Sequence, residues 1–427
     1  MPSFNTHLHP AVPPTDHEHH QVIIVGAGPT GLFLGLKLAR EGIDVLVLEG
    51  ERGIMQSPRA TTYMPVVLNE FEKVGLLQDV IDGGHINSDG VVFRTPAGKG
   101  DKVLARMSLS VVPKGVNKFD YAGIHMGQHQ LAAIIQKRAE LCPTFGIRFS
   151  HRFAGATQDA DKVRVCMVTN RGEKWFSADY VVGCDGAGSS VRRSLGIPFE
   201  GSTWDDFRFV ATNVKYPGFD KYNFPTANMI VDPEDWAVVA RTGKPEEGIW
   251  RVAFGVRTDV PDDKILEQIP AKFAELLPGT AEERKECELL NASPYWAHQR
   301  VAAEYVVGRI ILAGDAAHSN NPIGGLGLTT GLMDAAALGT ILIRLLVKGD
   351  ADKSDQLLRR YGDVRRKAFV EYSNPQSMEN KLRLHSEDPT VVESRDEFFR
   401  ALNTKPKETS IMMASQMNEF LDEDFSA

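Results

Sequence analysis

Cysteine is scarce: Cys142, Cys166, Cys184 and Cys287 are the four in 427 residues. None pair at C-x-x-C spacing, which argues against a structural zinc site, a disulfide framework or a redox dithiol, and no metal centre is expected. They read as reduced thiols of a cytoplasmic protein, with Cys184 a small core residue. Uninterrupted apolar runs are lacking too. The longest, residues 332–347, is broken by Asp334 and Arg344, so it reads as a buried helix and not a membrane span. Basic excess is also missing. The 48 Lys+Arg against 56 Asp+Glu leave a formal net charge of −8, which gives no electrostatic case for nucleic acid or an anionic membrane. No internal repeat is evident. Residues 1–20 carry Pro and His but no apolar core segment, so they read as a disordered leader and not a secretory signal. His17, His19 and His20 are assigned to that solvated leader.

Three glycine-rich strand ends carry the positive information. Gln21-Val-Ile-Ile-Val25 reads as a buried strand running into Gly26-Ala27-Gly28-Pro29-Thr30-Gly31, then into a helix with Leu32, Gly35, Leu36 and Ala39 on one face. A second strand, residues 44–49, ends in Glu49, about 20 positions past the glycines, where ribose recognition needs an acid. Gly26 permits the tight turn, Gly28 lets backbone approach a pyrophosphate, and Gly31 lets helix and strand pack closely. The order strand, glycines, helix, strand, acid points to dinucleotide binding. Far downstream, an apolar strand at 306–313 ends at Gly314-Asp315, and a Pro/Gly turn leads into a helix near Leu328. That places a carboxylate and a bare helix N-terminus together, suited to ribityl hydroxyls and an electron-rich ligand. Between them, the strand through Tyr180 ends in Cys184-Asp185-Gly186 and a basic turn with Arg192 and Arg193.

Taken together, these segments resemble the single-component FAD-dependent aromatic hydroxylases, the p-hydroxybenzoate hydroxylase-like flavoprotein monooxygenases. The matching residues are GAGPTG at 26–31, Glu49, Pro58-Arg59-Ala60, Gln128, CDGAGSSVRR at 184–193 and GDAAH…PIGGLGL at 314–328. The resemblance implies that Gly26 to Gly31 form the FAD pyrophosphate turn and that Glu49 binds the adenosine ribose. Arg59, beside Ala60, resembles the pyrophosphate-contacting arginine, and Gln128 a residue touching the cofactor from its helix. Asp315, after Gly314, resembles the carboxylate on the ribityl chain. Gly325 and the Gly327-Leu328-Thr329 backbone resemble the amide cluster facing the flavin pyrimidine edge. Asp185, Gly186 and Arg192 match a motif linked to FAD and the nicotinamide. Two departures stand out: Thr329 where many members have Asn, and Asn321-Pro322 where many have Pro-Pro. His318 is read as structural.

The implied fold is α/β: a Rossmann-like FAD-binding domain interleaved with a substrate domain on a mostly antiparallel β-sheet, plus C-terminal helices. Residues 21–90, 125–200 and 300–376 are assigned to FAD binding, 91–124 and 201–299 to substrate binding, and 377–427 to a helical tail of no obvious chemistry. The implied activity uses NADPH or NADH and O2 to hydroxylate, dearomatise or epoxidise an electron-rich aromatic or heteroaromatic substrate through a flavin hydroperoxide, with a place in secondary metabolism expected. A single GxGxxG fold argues against enzymes with two dinucleotide domains. Trp204, Trp236, Trp250 and Trp296 stand apart, unlike the W-x-W-x-I-P signature of flavin halogenases. A flavin-dependent epoxidase or alkene reductase remains the alternative, and a flavin-binding protein without turnover the non-enzyme one. With no Ser-x-Arg arrangement to grip a benzoate, a neutral, fairly large phenolic, polyketide-like or indolic substrate is expected. Arg208, Tyr63, Arg241 and His298 are the unranked candidates for orienting or deprotonating it. A monomer or homodimer is expected.

Overall fold

The run Val22 to Val25 shows no polar alternation because both of its faces are covered. In the computed structural model, which describes residues 17–107 and 123–425, the strand Glu18–Val25 lies inside an eight-stranded sheet. Its neighbours Val45–Leu48 and Gly172–Gly183 both run parallel to it. Val22, Ile23 and Ile24 have no exposed surface, as expected for the interior of a parallel sheet. Phe145–Arg148 and Ile310–Leu312 extend the parallel array outward. The strand begins at Glu18, so His19 and His20 are sheet residues and the leader is shorter than expected. His20 Nδ1 bonds the Asp44 carboxylate at 3.0 Å, and His19 Nδ1 meets the Ser177 hydroxyl at 2.9 Å. The first 16 residues of that leader, and residues 108–122 of the 91–124 segment, lie outside the described residues.

A second, seven-stranded sheet has the order Glu288–Tyr295, Phe207–Lys215, Ile249–Arg257, Ala237–Arg241, Ala227–Ile230, Val91–Arg94 and Val103–Met107. All of its pairings are antiparallel except that of Ala227–Ile230 with Val91–Arg94. Period-two alternation divides its faces. Trp250, Val252 and Phe254 enter a core closed by Phe219, Phe224 and the helix Ile269–Leu276. The intervening Arg251 and Ala253 turn to the opposite face and line a cavity.

The helix Leu326–Leu346 is the one described helix long and apolar enough to cross a membrane, yet 83% of its apolar window is buried inside the protein. It packs on the helix Pro29–Arg40. Its one carboxylate, Asp334, is wholly buried among donors: Gly314 N–H at 3.0 Å, His318 Nε2 at 2.6 Å and Arg365 Nε at 2.9 Å. Between the strands Val45–Leu48 and Val91–Arg94 of these two sheets the chain forms the helices Pro65–Lys73 and Leu77–Gly83, separated at Gly75, where φ is +67°. The chain ends in the helices Asn374–His385, Pro389–Thr404 and Pro406–Leu421.

Candidate functional site

The strand Glu18–Val25 ends where its neighbours hold the chain tightly: Gly26 N–H donates to the Leu48 carbonyl at 2.8 Å and Cys184 N–H to that of Val25 at 2.7 Å. Gly26 turns there with φ of +111°, and a Cβ on it would strike the Cys184 carbonyl. The helix Pro29–Arg40 then starts without a side-chain cap on its first turn, leaving donor groups and the positive end of the helix dipole bare. A Cβ on Gly28 would meet nothing within 4 Å, whereas one on Gly31 would collide with the Gly26 carbonyl. Glu49 is fixed beside this turn by the N–H groups of Ala27 and Glu51, each at 2.8 Å.

The second strand end is held from below by Asp334, whose grip on Gly314 N–H sets the turn that presents Asp315. The Asp315 side chain is exposed to the cavity yet ringed by protein. Among the described residues no hydrogen bond reaches it. Burial raises its carboxyl above the ordinary value, opposed by the charges of His318 and Arg59. His318 itself is wholly buried, bonded to Asp334 and stacked on Phe369 with ring centroids 4.7 Å apart. Asn321 has a structural reason to differ from proline. Its backbone and side-chain N–H groups both donate to Gln299 Oε1 at 2.6 and 3.0 Å, and its side chain also donates to the Ser377 carbonyl at 2.9 Å. Gly324 and Gly325, both at positive φ, then start the helix Leu326–Leu346, again with no side-chain cap.

One cavity of about 1030 Å³ joins these features, at the upper end of the range for small-molecule sites. Of the residues expected at a cofactor, Gly26, Gly28, Pro29, Thr30, Glu49, Arg59, Ala60, Gln128, Asp185, Gly186, Asp315, Gly325, Gly327 and Leu328 line it. Ala27, Gly31, Gly314, Thr329 and Arg192 do not. Gly31 and Gly314 pack element against element, each against a neighbour that a Cβ would crowd. Thr329 turns its hydroxyl back onto the Gly325 carbonyl at 2.7 Å. Arg192 is bound inward, donating to the carbonyls of Ala316 at 2.7 Å and Ala187 at 2.8 Å, with its guanidinium 3.7 Å from the centre of the Phe199 ring. It therefore bolts two loops together and does not line the cavity. Asp185 caps the short helix Ser190–Ser194 through Ser189 Oγ and the N–H groups of Ser190 and Val191. Burial raises its carboxyl despite those bonds.

Three of the four residues considered for substrate chemistry are elsewhere. Tyr63 is 1% exposed, packs near Phe71 and donates to the Met126 carbonyl at 3.2 Å. Arg208 is paired with Asp262 and lies over Trp296. Arg241 is paired with Asp220 and lies over Trp250. All three are held by packing or a carboxylate, and none of them lines the cavity. His298 does line it, with Nδ1 2.8 Å from the Thr203 hydroxyl, and burial lowers its pKa.

Among the cavity's further polar groups, none foreseen from the sequence, are Arg251, Tyr295, and His125, whose pKa burial lowers to about 4 so that it stays neutral. Arg251 alternates with the apolar residues of its strand, a pattern equally typical of a surface arginine. Nothing local marked Tyr295, because the strand Glu288–Tyr295 was not anticipated. The tail also takes part. Phe398, Met413 and Met417 from the last two helices line the cavity. The chamber on the sheet side is apolar, walled by Phe93, Met229, Val238 and Ala253.

Comparison with known proteins agrees with this geometry. The model of the family described as FAD binding domain matches residues 19–372. Para-nitrophenol 4-monooxygenase of Pseudomonas sp. (strain WBC-3) is 37% identical over 383 residues, covering 90% of this chain and 92% of that protein. The 6-hydroxy-3-succinoylpyridine 3-monooxygenase of Pseudomonas putida (strain DSM 28022 / S16) is 34% identical over 370 residues, covering 86% and 90%. The crystal structure of p-nitrophenol 4-monooxygenase from Pseudomonas putida DLL-E4 superposes with a TM-score of 0.86 at 33% identity, covering 94% of this chain and 98% of that one.

Proposed function

The chain belongs to the FAD binding domain family of flavin-dependent aromatic hydroxylases, and from that premise we propose that it hydroxylates a one-ring phenol or hydroxypyridine. It is a flavin-dependent monooxygenase using FAD and NAD(P)H. The observation that carries the reading is the single cavity, which runs from the Gly26 turn past Asp315 to the apolar face of the seven-stranded sheet. Because that one space takes FAD as well as substrate, the room left favours a small ring over the large substrate expected earlier. The relatives named for nitrophenol and hydroxypyridine oxidation point the same way.

The residues present fit FAD. Two uncapped helix starts supply N–H donors, Gly28 leaves space where a Cβ would otherwise stand, and Asp315 is an unpartnered acceptor inside the cavity. Gly28 and Thr30 would hold the pyrophosphate, Glu49 the adenosine ribose, Asp315 the ribityl hydroxyls, and the Gly327 and Leu328 backbone the ring edge. When bound, FAD would supply the transfer of two electrons from the nicotinamide to O2, one atom of which enters the ring while the other leaves as water. The protein's own part is positional. Phe93, Met229, Val238 and Ala253 exclude water and hold the aromatic ring flat. His298, which lines the cavity, can accept or relay a proton there, whereas His125 is buried and neutral with both ring nitrogens facing protein groups. The parallel-sheet region as FAD-binding unit, the antiparallel sheet as substrate unit, a cytoplasmic location and a monomer or homodimer belong to the same proposal.

The purified protein should be yellow with FAD, and 4-nitrophenol should stimulate NAD(P)H oxidation with matching O2 uptake. A protein that binds no FAD on reconstitution, or oxidises NAD(P)H without O2, would refute the reading.

A further inference from the structure

Arg251 is 7% exposed on the cavity face of the strand Ile249–Arg257. Among the described residues no carboxylate pairs with it. Its Nε donates to the Asn213 side-chain oxygen at 2.9 Å and its Nη1 to the Arg59 carbonyl. Both partners are neutral, so they fix the plane of the guanidinium and leave its charge uncompensated. Nη2 has no acceptor among the described residues. The titratable groups around it are Tyr63, Tyr295, His129 and Arg59, and none is an anion at neutral pH. Tyr295 is pushed up to about 12 by burial, so its hydroxyl stays protonated and lines the cavity as a donor. Burial pulls Arg251 down to about 10, still cationic.

A buried cation without a counter-ion is costly, and fixed guanidinium donors are well suited to an oxyanion. On the reading above, we propose that Arg251 is the residue that sets substrate specificity, binding the ionised ring oxygen of an acidic phenol through Nη2, with the Tyr295 hydroxyl as second donor. The substrate is then an anion, not the neutral ring expected from the sequence. Ala240 and Ala253, which flank Arg251 on the cavity face of the sheet, add no competing charge.

The test is equilibrium binding to the FAD-loaded protein of 4-nitrophenol, followed by its phenolate absorbance, and of nitrobenzene, which has no ionisable oxygen. Wild-type affinity for 4-nitrophenol should rise as the phenol ionises. Arg251→Met should weaken phenolate binding roughly 10- to 100-fold, the size of a hydrogen bond to a charged group, and flatten that pH dependence. Nitrobenzene affinity and FAD content should not change. Arg251→Lys, which keeps the charge without the fork, should keep the pH dependence at reduced affinity. Unchanged phenolate binding in Arg251→Met, an equal loss for nitrobenzene, or loss of FAD would overturn the assignment. If wild type takes up O2 with phenols while Arg251→Met binds phenolate normally, the Arg251 assignment alone fails. If wild type shows no phenol-stimulated O2 uptake, the reading beneath it fails.

Discussion

Replacing Asp334 with Asn tests whether the FAD end of the cavity rests on a buried ion cluster. Asp334, His318 and Arg365 have no exposed side-chain surface. The Asp334 carboxylate receives three donors, at 3.0, 2.6 and 2.9 Å. Asn keeps the volume but leaves Arg365 as a buried cation without a counter-charge, and turns an amide N–H₂ toward a donor. Removing one partner of such a pair destabilises by about 3–5 kcal/mol, against a total stability of about 5–15 kcal/mol. With a urea slope of about 3 kcal/mol per molar, the midpoint should fall by more than about 1 M. Glu267→Gln is the control. Its partner Lys264 is exposed at 3.0 Å, and loss of such a pair is worth at most about 1 kcal/mol. Because Asp334 holds Gly314 N–H, the Asn variant should also bind FAD more weakly than the control does. Burial alone would raise the Asp334 carboxyl, but the charges and hydrogen bonds of His318 and Arg365 outweigh it and hold it below the ordinary value. Its contribution is therefore complete above the unfolded carboxylate pKa of about 3.9 and is lost only as pH falls through the lower folded value. The gap between wild type and variant should hold down to about pH 5 and close below about pH 4. A midpoint shift no larger than that of Glu267→Gln would refute the reasoning.

Gly31→Ala drives a Cβ into the Gly26 carbonyl and should lower stability of the FAD-free protein by about 1–3 kcal/mol, measured by urea melts. Gly28→Ala meets open space, so the FAD-free protein should keep its stability within about 0.5 kcal/mol while FAD affinity, read by fluorescence titration, drops clearly. Equal effects of the two would contradict the assigned roles. Tyr63→Phe should lose about 0.5–1.5 kcal/mol from its bond to the Met126 carbonyl with kcat unchanged, and a large fall in kcat would return Tyr63 to the chemistry. Asp315→Asn should weaken FAD binding roughly tenfold yet stabilise the FAD-free protein slightly at neutral pH. The raised Asp315 carboxyl favours folding only at low pH and loses that favour as pH rises through its folded value. The gain should vanish in acid melts.

The glycine-turn end of the cavity was legible because its logic is local and uses the backbone. Gly26, Gly28 and Gly31 sit within six residues; a Cβ would strike backbone at Gly26 and Gly31, while at Gly28 it would enter open space. Glu49 and Asp315 lie at strand ends that hydropathy locates. Where the reading failed, side-chain direction decided. Arg192 and Thr329 share segments with cavity residues but turn inward to the Ala316 and Gly325 carbonyls. Tyr63 and Arg241 looked like polar residues available to a ligand until packing and Asp220 accounted for them. The His20 strand residue was lost to a leader because a His-rich segment carries no apolar signal of its own.

Substrate selection is harder to see in sequence because no single segment contains it. The apolar chamber takes Phe93 from one strand, Met229, Val238 and Ala253 from three other strands, and Phe398 from a helix near the chain's end. Each is an ordinary apolar residue of its element, and only strand register and the return of the tail bring them to one space. The proposed FAD contacts, by contrast, depend on turns that tolerate few residues. Chains can therefore keep the glycine turns and Asp315 while exchanging side chains on this sheet face, changing substrate without disturbing the cofactor. Arg251 is where the two demands meet. Its Nη1 is tied to the carbonyl of Arg59, proposed for the cofactor, while its Nη2, without an acceptor among the described residues, is on the proposal left for the substrate. A change there should alter which ring is accepted more than whether FAD is held.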